Sequence, residues 1–128
     1  METSQIRLLK TWLPAILLMA LIFVFSSLPG ATVSANGDVD YLSHKLVHVF
    51  LYAVLCLSLY RATKNIVLAM VLTILYGITD EYHQTFVPTR MGSYKDVIAD
   101  TLGALITGIL LWKYYLKLPK QLKNWLAE

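Results

Sequence analysis

The chain has 128 residues, of which 57% are hydrophobic and only 15% charged, and its net charge is +3. Soluble domains carry about 25% charge, so an ordinary soluble domain is excluded, along with disorder, a collagen repeat and a disulfide scaffold. The length holds one domain, and a lone Cys56 makes no intrachain disulfide. The charges lie at the ends of apolar runs rather than spread between them, which is the pattern of a membrane protein with the lipid bilayer as its main partner.

The first run extends from Thr11 to Leu28 without a charge and closes on Pro29-Gly30. That is enough for a helix crossing about 30 Å of hydrocarbon, which takes roughly 20 residues. The alternative is a cleaved signal peptide, given Arg7 and Lys10 before the run and small residues from Ala31 to Ala35, but signal cores are shorter, about 7–15 residues. The second run is Leu46 to Tyr60 and the third Ile66 to Thr79. Each reaches spanning length by continuing into polar residues, through His44-Lys45 and through Glu81-His83-Gln84. Only Arg61 to Asn65 separates them, so a tight antiparallel hairpin is expected. The fourth run, Val97 to Leu116, is interrupted by Asp100 and Lys113. The fold expected is therefore an all-α membrane protein. It is a bundle of four transmembrane helices near 11–28, 43–60, 66–84 and 96–116, with short loops and an amphipathic tail over 117–128, in one domain over 1–128.

Orientation follows from the basic residues. Arg7, Lys10, Arg61, Lys64, Lys113, Lys117, Lys120 and Lys123 fall on one side, and Lys45, Arg90 and Lys95 on the other. Both termini are thus predicted to be cytoplasmic, the chain crossing its membrane several times. The aromatic and lysine-rich tail suits an interfacial anchor on anionic lipid. RNA binding by such a tail is the weaker reading, so no nucleic-acid partner is expected.

All three histidines gather at the predicted outer end with Asp38, Asp40, Asp80, Glu81, Asp96 and Asp100. Spacing at i+3 and i+4 puts Lys45, His48 and Tyr52 on one helix face. Tyr76, Asp80 and either His83 or Gln84 share a second face, and Asp96, Asp100 and Ala104 a third. Ionisable groups at membrane depth cost several kcal/mol unless they pair or line a wet cavity. The three stripes are therefore expected to converge on one outward-opening pocket. His48, Asp80, Glu81 and His83 are candidates for acid–base catalysis there. Lys45, Arg90, Gln84, Tyr52, Asp96 and Asp100 are candidates for holding a substrate, with the two cations suited to an anionic group.

Each has a structural reading beside the functional one. Ser93-x-x-Asp96 before an apolar run fits a helix capping box. Asp100 lies too deep for capping and would otherwise pair with Arg90 or Lys45. Asp80 and Glu81, being adjacent, cannot both point to one spot from a regular helix. His44 and His48 at i, i+4 could share a metal, yet Lys45 between them repels one, and neither metal nor cofactor is expected. Ser26 and Ser27 lack the surroundings of a nucleophilic serine. Small residues Gly103, Ala104, Thr107 and Gly108 allow close helix approach, within the chain or with a second copy of it in a homo-oligomer.

Phe25-Ser26-Ser27, Lys45-x-x-His48, Asp80-Glu81-x-His83-Gln84, Arg90, Asp96 and Gly103, in that order, resemble the motif series of VanZ-like membrane proteins over roughly residues 12 to 112. The resemblance implies a link to teicoplanin resistance in Gram-positive bacteria. One departure is Asp100, where Asn is expected in many members. Three functions compete. The first is a membrane-embedded hydrolase or transferase acting on a lipid-linked or cell-wall precursor with an anionic head group. The second is a module that shields a precursor or binds a glycopeptide without chemistry. The third is a small proton-coupled transporter, disfavoured by the absence of an inverted repeat.

Overall fold

The computed structural model describes residues 3–28, 35–88, 90 and 92–128. The Pro29-Gly30 stop and the small-residue stretch up to Ser34 lie outside them. Among the described residues the chain is all helical: α1 (Ser4–Ser27), α2 (Gly37–Thr63), α3 (Ile66–Gln84), α4 (Tyr94–Lys113) and a short α5 (Lys120–Ala127), with one 3-10 turn over Tyr115–Lys117.

Local chemistry sets the ends. Asn36 opens α2 by accepting from the backbone N–H groups of Asp38 and Val39 at 3.0 and 3.2 Å. Asp38 and Asp40 then suit the positive end of the helix dipole. This polar start explains why α2 begins six residues ahead of the expected 43. Asn65 opens α3 by accepting from Leu68 N at 3.0 Å. The hairpin before it turns on Lys64, whose left-handed φ of 55° is carried at the C-cap of α2. Ser93 opens α4, its hydroxyl accepting from Lys95 N at 3.2 Å.

Successive long helices alternate in direction. The end of α1, the start of α2, the end of α3 and the start of α4 meet at one end of the molecule, through Ser27–His83, Arg90–Leu28 and Lys45–Asp96. At the opposite end Arg61 joins α2 to α1 and to α5. Three helices, α1, α2 and α3, are long and apolar enough to cross a membrane. By length and composition α4 is not counted with them, because Lys95, Asp96, Asp100 and Lys113 interrupt it. Leu13, Ile16, Leu17, Phe23, Val24, Val67, Val71, Ile106 and Ile109 are among many large apolar residues that face outward, as on a lipid-exposed surface.

The core is built on Ala15 and Ile22 of α1, Tyr52, Leu55, Cys56 and Leu59 of α2, Ala69 of α3 and Ala104 of α4. Close approach of α4 depends on glycine. A Cβ at Gly103 would lie 2.5 Å from Val49 O and 2.9 Å from Ala53 N. The stripe of small residues is thus taken up within the chain, against α2 and, at Gly108, against Met70 of α3.

The peripheral α1 is attached by polar pins. Pro14 lacks an N–H, so the Lys10 carbonyl four residues earlier has no helical donor. Arg61 Nη1 of α2 donates to it at 2.8 Å. Midway along, the Tyr76 hydroxyl of α3 donates to Met19 O at 2.6 Å. Tyr76→Phe removes one hydrogen bond while the Met19 carbonyl keeps its helical donor, so the expected loss of stability is about 1 kcal/mol, read as a lowered thermal midpoint in detergent.

Candidate functional site

The face of α2 that carries Lys45, His48 and Tyr52 forms a ladder with α3 and α4. Lys45 Nζ pairs with the Asp96 carboxylate. One turn deeper, His48 Nδ1 lies 2.7 Å from Asp100 Oδ1. Deeper again, the Tyr52 hydroxyl donates to Asp80 Oδ2 at 3.2 Å. Gln84 Nε2 lies 3.5 Å from the same Asp80 oxygen. Asp100 is fully buried, and Asp80, Glu81 and Gln84 nearly so. Gly77 leaves room for this crowding, since a Cβ there would meet Asp100 Oδ2 at 3.0 Å and the Tyr52 ring at 3.3 Å.

Asp80 and Glu81 diverge, as adjacent helical residues must. Glu81 turns to α4, where Oε2 accepts from Ser93 N at 3.0 Å. In a capping box the third helical residue reaches back to the N–H of its own N-cap. Here a glutamate from another helix takes that place, and Asp96, in the box position, binds Lys45 instead. Glu81 also stands beside His48 and Asp100, and one ligand atom from each of the three lies within 4.8 Å of the others.

Beside the ladder is a cavity of about 360 Å³ between α1, α2 and α3. Ile22, Phe25, Val47 and Leu51 make its apolar wall; Ser26, His44, His48, Tyr52, Asp80, Gln84 and Arg90 supply polar groups. Ser26 Oγ and Asp80 Oδ1 are buried without a hydrogen-bond partner among the described residues. Such groups cost free energy unless something satisfies them.

Of the residues singled out in the sequence, His48, Tyr52, Asp80, Gln84 and Arg90 line the cavity. Lys45, Glu81, Asp96 and Asp100 join the ladder behind it. His83 stands apart: its ring stacks on Phe23 at 4.7 Å and its Nε2 lies 2.9 Å from Ser27 Oγ, fastening α3 to α1. Ser27 donates its own proton to Phe23 O at 2.7 Å. His44 Nε2 lies 3.6 Å from Asp40 Oδ1 on its own helix, while His48 pairs with Asp100. Arg90, expected as an anion ligand, closes the end of α1: Nε donates to Leu28 O at 2.7 Å and Nη2 to Phe25 O at 3.2 Å. The last carbonyls of a helix lack internal donors, which is why an arginine settles there. Ser26 and the apolar wall are additions that the sequence reading did not place in the site; the i, i+4 spacing of Ile22 and Ser26 was the available signal.

The VanZ/LLP1 family model covers residues 11–117, nearly the whole chain and every residue of the ladder and cavity. The chain is a membrane protein that belongs to the VanZ/LLP1 family. No curated protein and no solved structure matches it.

Proposed function

We propose that the protein acts at the outer face of the bacterial cytoplasmic membrane on the anionic head group of a lipid or lipid-linked envelope precursor. The observation that carries this reading is the cavity's double character. One wall is apolar, as an acyl or isoprenoid chain requires, and the other combines Ser26, Arg90 and the His48–Asp100 pair. Small-molecule sites have this design: a mostly apolar surface with a few convergent polar groups that set orientation.

In this reading α4 is a fourth span despite its charge. Asp100 is buried against His48, and Asp96 is engaged by Lys45, so neither faces lipid. The alternation of helix directions and the excess of Lys and Arg at the Arg61 end then put both termini in the cytoplasm and the cavity outside. The anion falls to Arg90, whose second terminal nitrogen remains beyond its two carbonyl bonds, and to the Ser26 hydroxyl. Lys45 is left to hold α2 against α4. With Asp100 ionised, the Nδ1 proton of His48 is held toward it and Nε2 is the basic nitrogen. A carboxylate that orients an imidazole in this way makes it a general base for an attacking water or hydroxyl. That chemistry is hydrolysis or transfer at the head group. Through the family, a modified envelope precursor connects to glycopeptide (teicoplanin) resistance.

The test compares envelope lipids and wall precursors, by mass spectrometry, in cells lacking the protein and in cells expressing wild type or His48→Asn at matched membrane abundance. A species gained or lost with wild type and restored to the null level by His48→Asn is the expected result. Identical profiles in all three would sink the enzymatic reading. A precursor that co-purifies with wild type, unconverted, would favour a binding module instead.

A further inference from the structure

We propose that His48, Glu81 and Asp100 form a site for one divalent cation of the zinc or manganese kind, set between α2, α3 and α4 behind the head-group cavity. The three side chains come from three helices, and a ligand atom from each lies within 4.8 Å of the other two. Two further observations point to a missing positive charge. Glu81 Oε1 and Asp100 Oδ2 are both buried and have no hydrogen-bond partner among the described residues, and Asp80 Oδ1 next to them is in the same state. Three carboxylates are thus buried close together, Lys45 is already engaged by Asp96, and among the described residues His48 is the one basic side chain paired with any of the three. Buried carboxylates are stable when paired or when they coordinate metal. One divalent cation would offset two of the three negative charges while His48, as a neutral ligand, adds none.

The donor set narrows the ion. One imidazole and two carboxylates suit zinc, manganese or iron better than calcium or magnesium, which favour all-oxygen shells. Three protein ligands leave positions open for water or for a substrate oxygen. His48 also lines the cavity, which gives the ion an entry path. The site's use rests on the head-group reading. With the ion bound, His48 is a ligand, and the proton in play belongs to a coordinated water, made more acidic by the metal. The existence of the site does not depend on that use.

The experiment is a titration of the purified chain in lipid nanodiscs, stripped with chelator, with zinc or manganese chloride alone. One equivalent per chain and a raised thermal midpoint are expected for wild type. Even partners one step removed from a metal are worth about 10–100-fold in affinity, so Glu81→Gln and Asp100→Asn are each expected to weaken binding about a hundredfold or more. His83→Gln, which alters a histidine outside the cluster, keeps wild-type binding. Wild type that is folded by circular dichroism and takes up no stoichiometric ion overturns the proposal, and so does undiminished binding by Asp100→Asn. The two readings separate cleanly. Conversion of an envelope lipid without ion uptake removes the cation site and keeps the head-group function. Ion uptake with unchanged lipid profiles does the reverse.

Discussion

Gly103→Ala is expected to lower the stability of the helix bundle by about 3 kcal/mol, at the upper end of the usual overpacking penalty. The new methyl would sit 2.5 Å from Val49 O and 2.9 Å from Ala53 N. Both are backbone atoms of α2, so no side chain can swing aside, and α2 and α4 must move apart. That separation would lengthen the His48–Asp100 and Lys45–Asp96 contacts as well, since both join the same two helices. Two other glycines calibrate the result. At Gly108 the nearest atom is Met70 Sδ, at the flexible part of a long side chain, so alanine there costs less. At Gly37, in the first turn of α2, nothing lies within 4 Å. Alanine there is expected to be neutral or to stabilise by about 0.5–1 kcal/mol through helix propensity. Reversible unfolding in mixed detergent micelles reads all three. If Gly103→Ala unfolds at the same midpoint as Gly37→Ala, the close α2–α4 packing described here is wrong.

The second large effect is at the other end of the molecule. Arg61 is buried, with its Nε donating to Trp125 O at 2.9 Å and Nη1 to Lys10 O at 2.8 Å. Its Nη2 reaches Glu128 Oε2 at 3.2 Å, and its guanidinium stacks over the Trp125 ring at 4.8 Å. The α5 helix is therefore docked by this arginine, together with the buried Leu126 and a bond from Lys64 to the Leu126 carbonyl. Hydrogen bonds to charged groups contribute about 1.5–3 kcal/mol. Arg61→Ala is expected to free α5 by about 2 kcal/mol, which is roughly a thirtyfold rise in its amide hydrogen exchange. Arg61→Lys should recover little, because an ammonium cannot reproduce the planar fork that serves several acceptors at once. Exchange over 120–127 that is unchanged in Arg61→Ala would show that Leu126 alone holds the helix.

Much of this organisation was legible in the sequence because it is periodic. The bounds of α3 agree with expectation at both ends, since Asn65 is a strong cap and the apolar run behind it is unbroken. The three polar stripes were readable for the same reason, as each lies on a single helix. Which stripe meets which was not, because pairing across helices depends on how they are arranged. His83 and Gln84 illustrate the limit. At about 100° per residue they lie some 60° and 40° to either side of Asp80. Spacing alone admits both to its face. The neighbours decide: α2 lies on the Gln84 side, and α1 takes His83 through Phe23 and Ser27. Glu81 was read as a chemical candidate, but its bond to Ser93 N required knowing that α4 starts beside it. The role of Arg90 likewise depended on the end of α1 arriving next to a loop 62 residues further along.

The two arginine contacts on α1 share a consequence. A helix interior has few free acceptors; in α1 the two arginines use those that arise where Pro14 withholds a helical donor from the Lys10 carbonyl and where the helix ends. Arg61 takes the first and Arg90 the second, at Phe25 and Leu28. Lys10 and Phe25 are about 22 Å apart along the axis, most of the thickness of a hydrocarbon core. The helix is thereby indexed near both of its ends. A screw displacement by one turn, about 5.4 Å, would carry both acceptors away from their donors at once. Sliding of α1 along its neighbours is thereby opposed at two points, and the wall it lends to the cavity keeps its register.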